Sequence, residues 1–433
     1  MLYEVFRYFA NGWIRSHFID PQFHFTYYGF GWVSPWPGNG MYWHFAALGI
    51  LAMMIALGLF YRIATILFCL GFLYVFLLEQ AYYLNHFYLV CLLSLIAIVL
   101  PANCAYSLDV LRRPELRRET VPAWTLWLLR FQIGVVYFFG GLAKLDSDWL
   151  DGAFIRIVFS KRPDFPILGP FFQEEWMVMA FVYGGLLLDL FIVPLLMWNR
   201  TRIPAYVLVI LFHATNAQLF HIGIFPLFMV AASMLFFPAD SLKPEQADED
   251  ASRKKTKRNH KRSELPSKER PPESRIQWAV ITGLLIYGAF QILMPLRHLL
   301  YPGNPNWTEE GHRFAWHMKL RAKSSECKFV AVDEQGNAID VATYEDILNE
   351  KQRRTMAGRP DMILQFAHFL TEKLQQAGHS GVKIYARSMV SLNGRKPQPM
   401  IDPNANLAAQ NRNLKHADWI LPLITPLPSQ ESR

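Results

Sequence analysis

Charge and cysteine are the two things this sequence has little of. Only 18% of its 433 residues are charged, against roughly 25% in an ordinary soluble domain. The four cysteines are Cys69, Cys91, Cys104 and Cys327. Two lie inside apolar runs, one just beyond a run and one in a polar stretch, which argues against a disulfide framework. Zinc-finger spacing and RNP-like aromatic motifs are missing, so the net charge of +8 does not point to nucleic acid. Residues 1–18 carry Glu4, Arg7 and Arg15 and lack the apolar core and small-residue cleavage site of a signal peptide. No internal repeat is visible, which counts against a transporter built from inverted halves.

What the sequence has in abundance is apolar and aromatic surface, with 52% hydrophobic and 15% aromatic residues. A membrane-spanning helix needs roughly 20 apolar residues. Stretches near that length run over 41–60, 63–79, 86–101, 121–143, 176–197, 203–221, 223–238 and 276–295. The aromatic segment 2–18 is read as a ninth span, with an interfacial amphipathic helix as the alternative. Arg62, the Arg112–Arg118 cluster, Arg200 and Arg202, and the Lys/Arg-rich 239–275 stretch then share one side. Positive residues in short loops mark that side as cytoplasmic. The 144–175 loop, with Lys144, Arg156, Lys161 and Arg162, strains the rule. The expected fold is an all-α polytopic membrane bundle of about nine helices with a small C-terminal α+β extramembrane domain. Its parts are helices within 1–238, a charged cytoplasmic linker over 239–275, a last span at 276–295 and an extracytoplasmic unit over 296–433. Residues 241–275 hold eleven Lys/Arg and seven Asp/Glu, and within them 243–274 lack an apolar face, which favours disorder. In the tail, 343–355 and 360–377 read as helices. Alternation around 381–391 (Val382, Ile384, Ala386, Ser388) reads as a strand.

Polar residues inside apolar spans need a reason. Lys144 ends the 121–143 helix in YFFGGLAKLDSDWLDG. It is either a snorkelling lysine or a neutral amine acting as a base, which requires burial because desolvation penalises the ammonium form. Asp146 and Asp148 would oppose that role if they faced the same pocket. Asn85 and His86 open the 86–101 helix, Asn85 as its N-cap and His86 as a structural or functional imidazole. In HATNAQLFH, His213 and Asn216 share a helix face, and Gln218 and His221 continue toward the outer surface. These groups line a cavity or form an interhelical hydrogen-bond network. Tyr137 and neighbouring aromatics would suit a flat apolar ring. Arg130 and Asp189, each about 12–14 Å from the inner end of its helix, are expected to form a buried structural ion pair. No metal is expected.

Several strings resemble the vitamin K-dependent gamma-carboxylases. YFFGGLAKLDSDWLDG is similar to the segment that carries that family's base lysine, LNHFYL to its histidine segment and LFHATNAQLFHIGIF to its HxxNxQLFxIGxF segment. GGLLLDL, NPNWTEEGHRFAWHMKL and RSMVSLNGRKPQPMIDP also resemble family segments, in order, over roughly residues 1–410.

The resemblance implies a mechanism and its participants. Neutral Lys144 would deprotonate a reduced vitamin K (menaquinol or phylloquinol). After oxygen addition the resulting alkoxide would remove the γ-proton of a glutamyl residue in a protein or peptide, CO2 would capture the carbanion, and the quinone would leave as its epoxide. His86 would assist carboxylation, and Asn85, Tyr137, His213, Asn216 and Gln218 would hold substrate. Ala143 stands where the animal enzymes have a second lysine, and no outer cysteine pair is available for their disulfide. The tail is also expected to be shorter, which bears on propeptide recognition. Alternatives are a quinol epoxidase that does not carboxylate and a non-enzymatic quinone- or lipid-binding membrane protein.

Overall fold

The computed structural model describes residues 1–220, 222–238, 275–340 and 346–428. His221 and residues 239–274 of the expected linker lie outside them. The chain begins with α1 (Leu2–Ala10), continues through α2 (Gly40–Leu57), α3 (Tyr61–Leu78), α4 (Asn85–Val99) and the short α5 (Leu108–Arg112), and reaches α6 (Ala123–Leu142). Two small helices, α7 (Ser147–Leu150) and α8 (Ala153–Ser160), lead to α9 (Glu175–Met197), α10 (Arg202–Phe220), α11 (Phe225–Ser233) and α12 (Arg275–Leu296). Among the described residues, six helices are long and apolar enough to cross a membrane: α2, α3, α6, α9, α10 and Gln277–Leu300. Two shorter apolar ones, Asn85–Val99 and Phe225–Phe236, accompany them.

The expected ninth span over 2–18 does not form as one helix. Gly12 takes φ +65°, a left-handed conformation that ends a helix, and the chain resumes as a π turn at Arg15–Ile19. The nine residues of α1 span about 14 Å, under half of a hydrocarbon core about 30 Å thick. Val5 packs near Gly49, midway along α2, and Leu2, Tyr3, Phe6 and Phe9 form an exposed apolar face.

Packing between α6 and α9 sets the level of everything polar inside the bundle. A Cβ on Gly141 would come within 2.8–3.0 Å of Leu190, and one on Gly134 would touch Val193 at 3.7 Å. These two contacts fix an antiparallel register in which the outer end of α6 meets the middle of α9. The first turns of α9 project past α6 and pack against α7 and α8, where the Trp149 indole N–H donates to Val182 O at 3.2 Å.

The tail is a four-stranded antiparallel sheet of order β2-β1-β3-β4, made of β1 (Lys323–Val332), β2 (Ala338–Ile339), β3 (Lys383–Leu392) and β4 (Gln398–Pro399). β1 and β3 pair along their whole length, from Lys323 opposite Leu392 to Val332 opposite Lys383. Ile384, Ala386, Ser388 and Val390 are buried, the period-2 face of a strand. After α13 (Pro305–Thr308), helices α14 (Glu350–Met356) and α15 (Pro360–Gln376) complete the domain. The α15 residues Met362, Ile363, Phe366 and Leu370 join the sheet in one core, which also includes Phe25 from the loop before α2.

That loop is one of three outer connections that hold the tail. The Thr26 amide donates to Gln365 Oε1 at 3.0 Å, and Gln80 Nε2 donates to Asp361 at 3.0 Å. Arg395 grips buried Asp148 through two nitrogens at 2.5 and 2.7 Å. The 20–40, 80–85 and 144–175 segments thus share one end of the bundle with the tail, as alternating spans require.

Candidate active site

The last turn of α6 aims Lys144 inward. The Lys144 amide donates to Gly141 O at 2.9 Å, which tightens the helix end and turns the side chain back along the axis. Its amine donates to Gly140 O at 3.1 Å and to Asp189 Oδ2 at 2.5 Å. The Trp149 ring centroid lies 5.2 Å from the same nitrogen. Both charged side chains are 7% exposed. Gly185 leaves the space they need, since a Cβ there would sit 3.5 Å from Trp149 and 3.8 Å from Lys144 Cε.

The expected Arg130–Asp189 pair is not present. Asp189 pairs with Lys144. Arg130 donates through Nε to Leu235 O at 2.8 Å and through Nη2 to Phe237 O at 3.4 Å. The α6–α9 register explains this: Asp189 lies level with Gly141, whereas Arg130 lies level with the inner end of α9. There it caps the free carbonyls after α11, a favourable place for a cation. α6 extends farther inward than α9, so equal depth from each helix's own inner end is not equal level in the bundle.

Asp146 and Asp148 face away from the amine. Asp146 Oδ1 accepts from the Asp148 amide at 3.0 Å and caps α7, and Asp148 belongs to Arg395. The carboxylate that does face Lys144 is Asp189. GGLLLDL drew attention to it, and its link to Lys144 needed the helix register.

Lys144 and Asp189 border a cavity of about 630 Å³, within the range of small-molecule sites. Tyr137, His213 and Asn216 also line it, and most of the remaining wall is apolar, including Phe181, Phe212 and Met318. Leu187, Phe191, Leu208 and Leu211 line the cavity and are also exposed on the outside of the bundle. The cavity therefore opens sideways between α9 and α10, where lipid would lie. His213 is buried, its Nε2 is 2.9 Å from the Tyr137 hydroxyl, and that hydroxyl is 3.3 Å from Ser233 Oγ. Ser233 in turn donates to Met229 O at 2.8 Å. The His213 Nδ1 has no hydrogen-bond partner among the described residues. Ser233 lies outside every string quoted from the sequence, and Met318 lies within NPNWTEEGHRFAWHMKL with nothing in that string to mark it.

The other expected site residues are elsewhere. His86 stacks on Phe225 with centroids 5.7 Å apart, and Phe225, not His86, lines the cavity. Asn85 accepts from the Tyr83 hydroxyl at 2.8 Å and donates to His317 O at 3.1 Å, which ties α4 to the 304–320 segment. Gln218 is exposed and does not line the cavity. Among the described residues, no cluster of His, Cys, Asp or Glu is able to hold a metal ion.

Two family models cover most of the chain. The HTTM domain matches residues 1–240, and the lumenal domain of the vitamin K-dependent gamma-carboxylases matches residues 276–426. No solved structure matches the chain. The first match spans the membrane helices that carry the Lys144 cavity and the second spans the sheet domain seated on their outer loops, so the chain is a membrane protein that belongs to the vitamin K-dependent gamma-carboxylase family.

Proposed function

We propose that this protein is a reduced vitamin K-dependent γ-glutamyl carboxylase and quinol epoxidase in which Lys144 and Asp189 act as one proton-accepting unit. The observation that carries the reading is a buried amine at the edge of a largely apolar cavity that opens toward lipid. A lipid-borne naphthoquinol fits it: the volume suits a ring with part of its tail, the side opening suits the rest, and the unpartnered His213 Nδ1 offers a polar contact. When bound, reduced vitamin K supplies with O2 the base strong enough to remove a glutamyl γ-proton.

The chain's own part is to bind, orient and move a proton. Lys144 Nζ and Asp189 Oδ2 are 2.5 Å apart and share one proton between them. With the proton on Asp189 the amine is a free base and accepts the hydroxyl proton of the quinol at Nζ, leaving an ammonium beside a neutral acid. Tyr137 and Ser233 fix the ring of His213, and Asn216, one turn farther out, faces the same space. Apolar walls exclude water that would quench a strong base.

The reading divides the chain as the sequence did: bundle 1–238, cytoplasmic linker 239–275, last span 276–295 and extracytoplasmic tail 296–433, in a cell or endoplasmic reticulum membrane. The substrate is a glutamate-containing protein or peptide, with CO2 as co-substrate. His86, Asn85 and Gln218 off the cavity wall favour one second reading, an epoxidase without carboxylation. Reduced vitamin K, labelled bicarbonate and purified protein decide between them. Epoxide with incorporated label supports the first reading, and epoxide alone supports the second. Epoxide formation unchanged in Lys144→Ala removes the base from both.

A further inference from the structure

The connection that leads into α2 turns a row of aromatic rings outward. Tyr28, Phe30, Trp32 and Trp36 are exposed, and so is Trp43 in the first turn of the helix. Trp32 is 77% exposed and Trp43 74%, a costly display of apolar surface if water covered it. The inner side of the segment is nonetheless firmly built. Val33 is buried, and the Tyr74 hydroxyl of α3 donates to Ser34 O at 2.7 Å. The Trp36 indole N–H donates to His44 Nδ1 at 3.3 Å, which leaves His44 Nε2 to donate to Gly71 O at 3.0 Å. A Cβ on Gly40 would come within 2.5 Å of Trp36 Cβ, so the turn into α2 is tight. The rings are held outward by contacts with α2 and α3.

Three observations say what covers this face. The first is continuity. Trp43, Ile50, Met53 and Leu57 are all exposed on α2, and their spacing places them on one face of the helix. In a membrane-spanning helix that face meets lipid, and the rings before α2 extend it. Phe9 also packs on Tyr42, with centroids 6.1 Å apart, which brings the exposed apolar face of α1 alongside. The second is level. The 18 residues of α2 span about 27 Å, close to the thickness of a hydrocarbon core, so the segment joined to its first residue lies at headgroup height. The third is charge. No Lys, Arg, Asp or Glu occurs between Asp20 and Arg62, so nothing there resists contact with lipid or calls for a charged partner. An indole joins an apolar ring to a single N–H donor, the combination that settles at a membrane–water interface.

We infer that the 28–43 segment is seated in the headgroup layer of the leaflet on the tail's side, and that phospholipid covers its aromatic face. The contact works through ring amphipathy and not through charge, so zwitterionic and anionic phospholipids serve equally. The same connection places Phe25 in the core of the tail, so this seat sets the height of the sheet domain above the bilayer. The inference does not depend on the Lys144 chemistry.

The test is tryptophan fluorescence of the full-length protein in phosphatidylcholine nanodiscs, with the emission of Trp32 isolated as the difference between wild type and Trp32→Phe. The probes are phosphatidylcholine brominated near the headgroup end of its acyl chains, the same lipid brominated near the methyl end, and iodide in the surrounding water. Trp32 should lose more than half of its emission to the first lipid and less to the second, and iodide should quench it weakly. Replacing part of the lipid by phosphatidylglycerol should leave this pattern unchanged. Trp43→Phe gives an independent reading of the same face and serves if Trp32→Phe does not fold. Quenching by iodide and not by brominated lipid would place the segment in water and overturn the inference. Protection from both quenchers would mean that a second copy of the chain covers the face, and would overturn it as well.

Discussion

Breaking the Lys144–Asp189 pair from either side should be far worse than removing it altogether. The two groups are 2.5 Å apart and each is 7% exposed, so neither can turn to water if its partner is lost. Removing one member of a buried pair typically costs about 3–5 kcal/mol, whereas replacing both by apolar groups of similar size is often neutral. At about 1.4 kcal/mol per decade, Lys144→Met or Asp189→Leu alone should shift the folding equilibrium by about a hundred- to a few thousand-fold. The double variant should return to within about 1–2 kcal/mol of wild type. Asp189→Asn, which keeps an acceptor for the amine, should fall between. The assay is denaturant unfolding of protein held in lipid nanodiscs, read as a double-mutant cycle. Two single effects that simply add in the double variant would mean that the pair is not formed, and the shared-proton reading would fall with it.

Four further outcomes follow from the geometry. Gly141→Val should force α6 from α9, because a Cβ there would come within 2.8–3.0 Å of Leu190; a loss of about 1–3 kcal/mol and reduced quinol binding are expected in melting and binding assays. Tyr137→Phe should cost about 1 kcal/mol and lower epoxide formation without abolishing it, since it frees His213 while keeping the ring. Asp148→Ala leaves half-buried Arg395 without its carboxylate and should loosen the tail, seen as faster proteolysis between bundle and sheet. Acid should also destabilise the tail. Burial raises the Glu309 carboxyl, but Arg321 and Lys323 outweigh it and hold the group well below its ordinary 4.5. The folded state therefore binds fewer protons there than the unfolded state. Its contribution is present above about 4.5 and is lost as pH falls toward the folded value, which a pH series of tail melting would show.

Length and apolarity made most of the bundle legible, and period-2 burial did the same for the strand at Lys383–Leu392. The helix over Pro360–Gln376 stood out through its apolar face. Residues 2–18 misled because aromatic content resembles a span while one left-handed glycine breaks it. Lys144, Tyr137, His213 and Asn216 were each legible as polar groups in apolar helices, and the structure puts them around one cavity. The Asp189 partner was not, because the overhang of α6 past α9 depends on where Gly141 and Gly134 meet Leu190 and Val193. A pattern of spacing along one helix carries no such information. His86 failed to reach the cavity for a related reason: Phe225, on another helix, fills the gap.

Phe25 has a bearing on how the chain is made. Its ring is fully buried in a core built largely from residues beyond 320, and Phe23 stacks edge-on against Phe366 with centroids 5.7 Å apart. More than three hundred positions separate these partners, so the early loop emerges during synthesis long before anything exists to cover it. Insertion of the spans must leave that loop parked at the outer surface until the sheet arrives. Closure of the sheet domain over it is therefore the last event of assembly, and a severed sheet domain would lack two rings of its own interior.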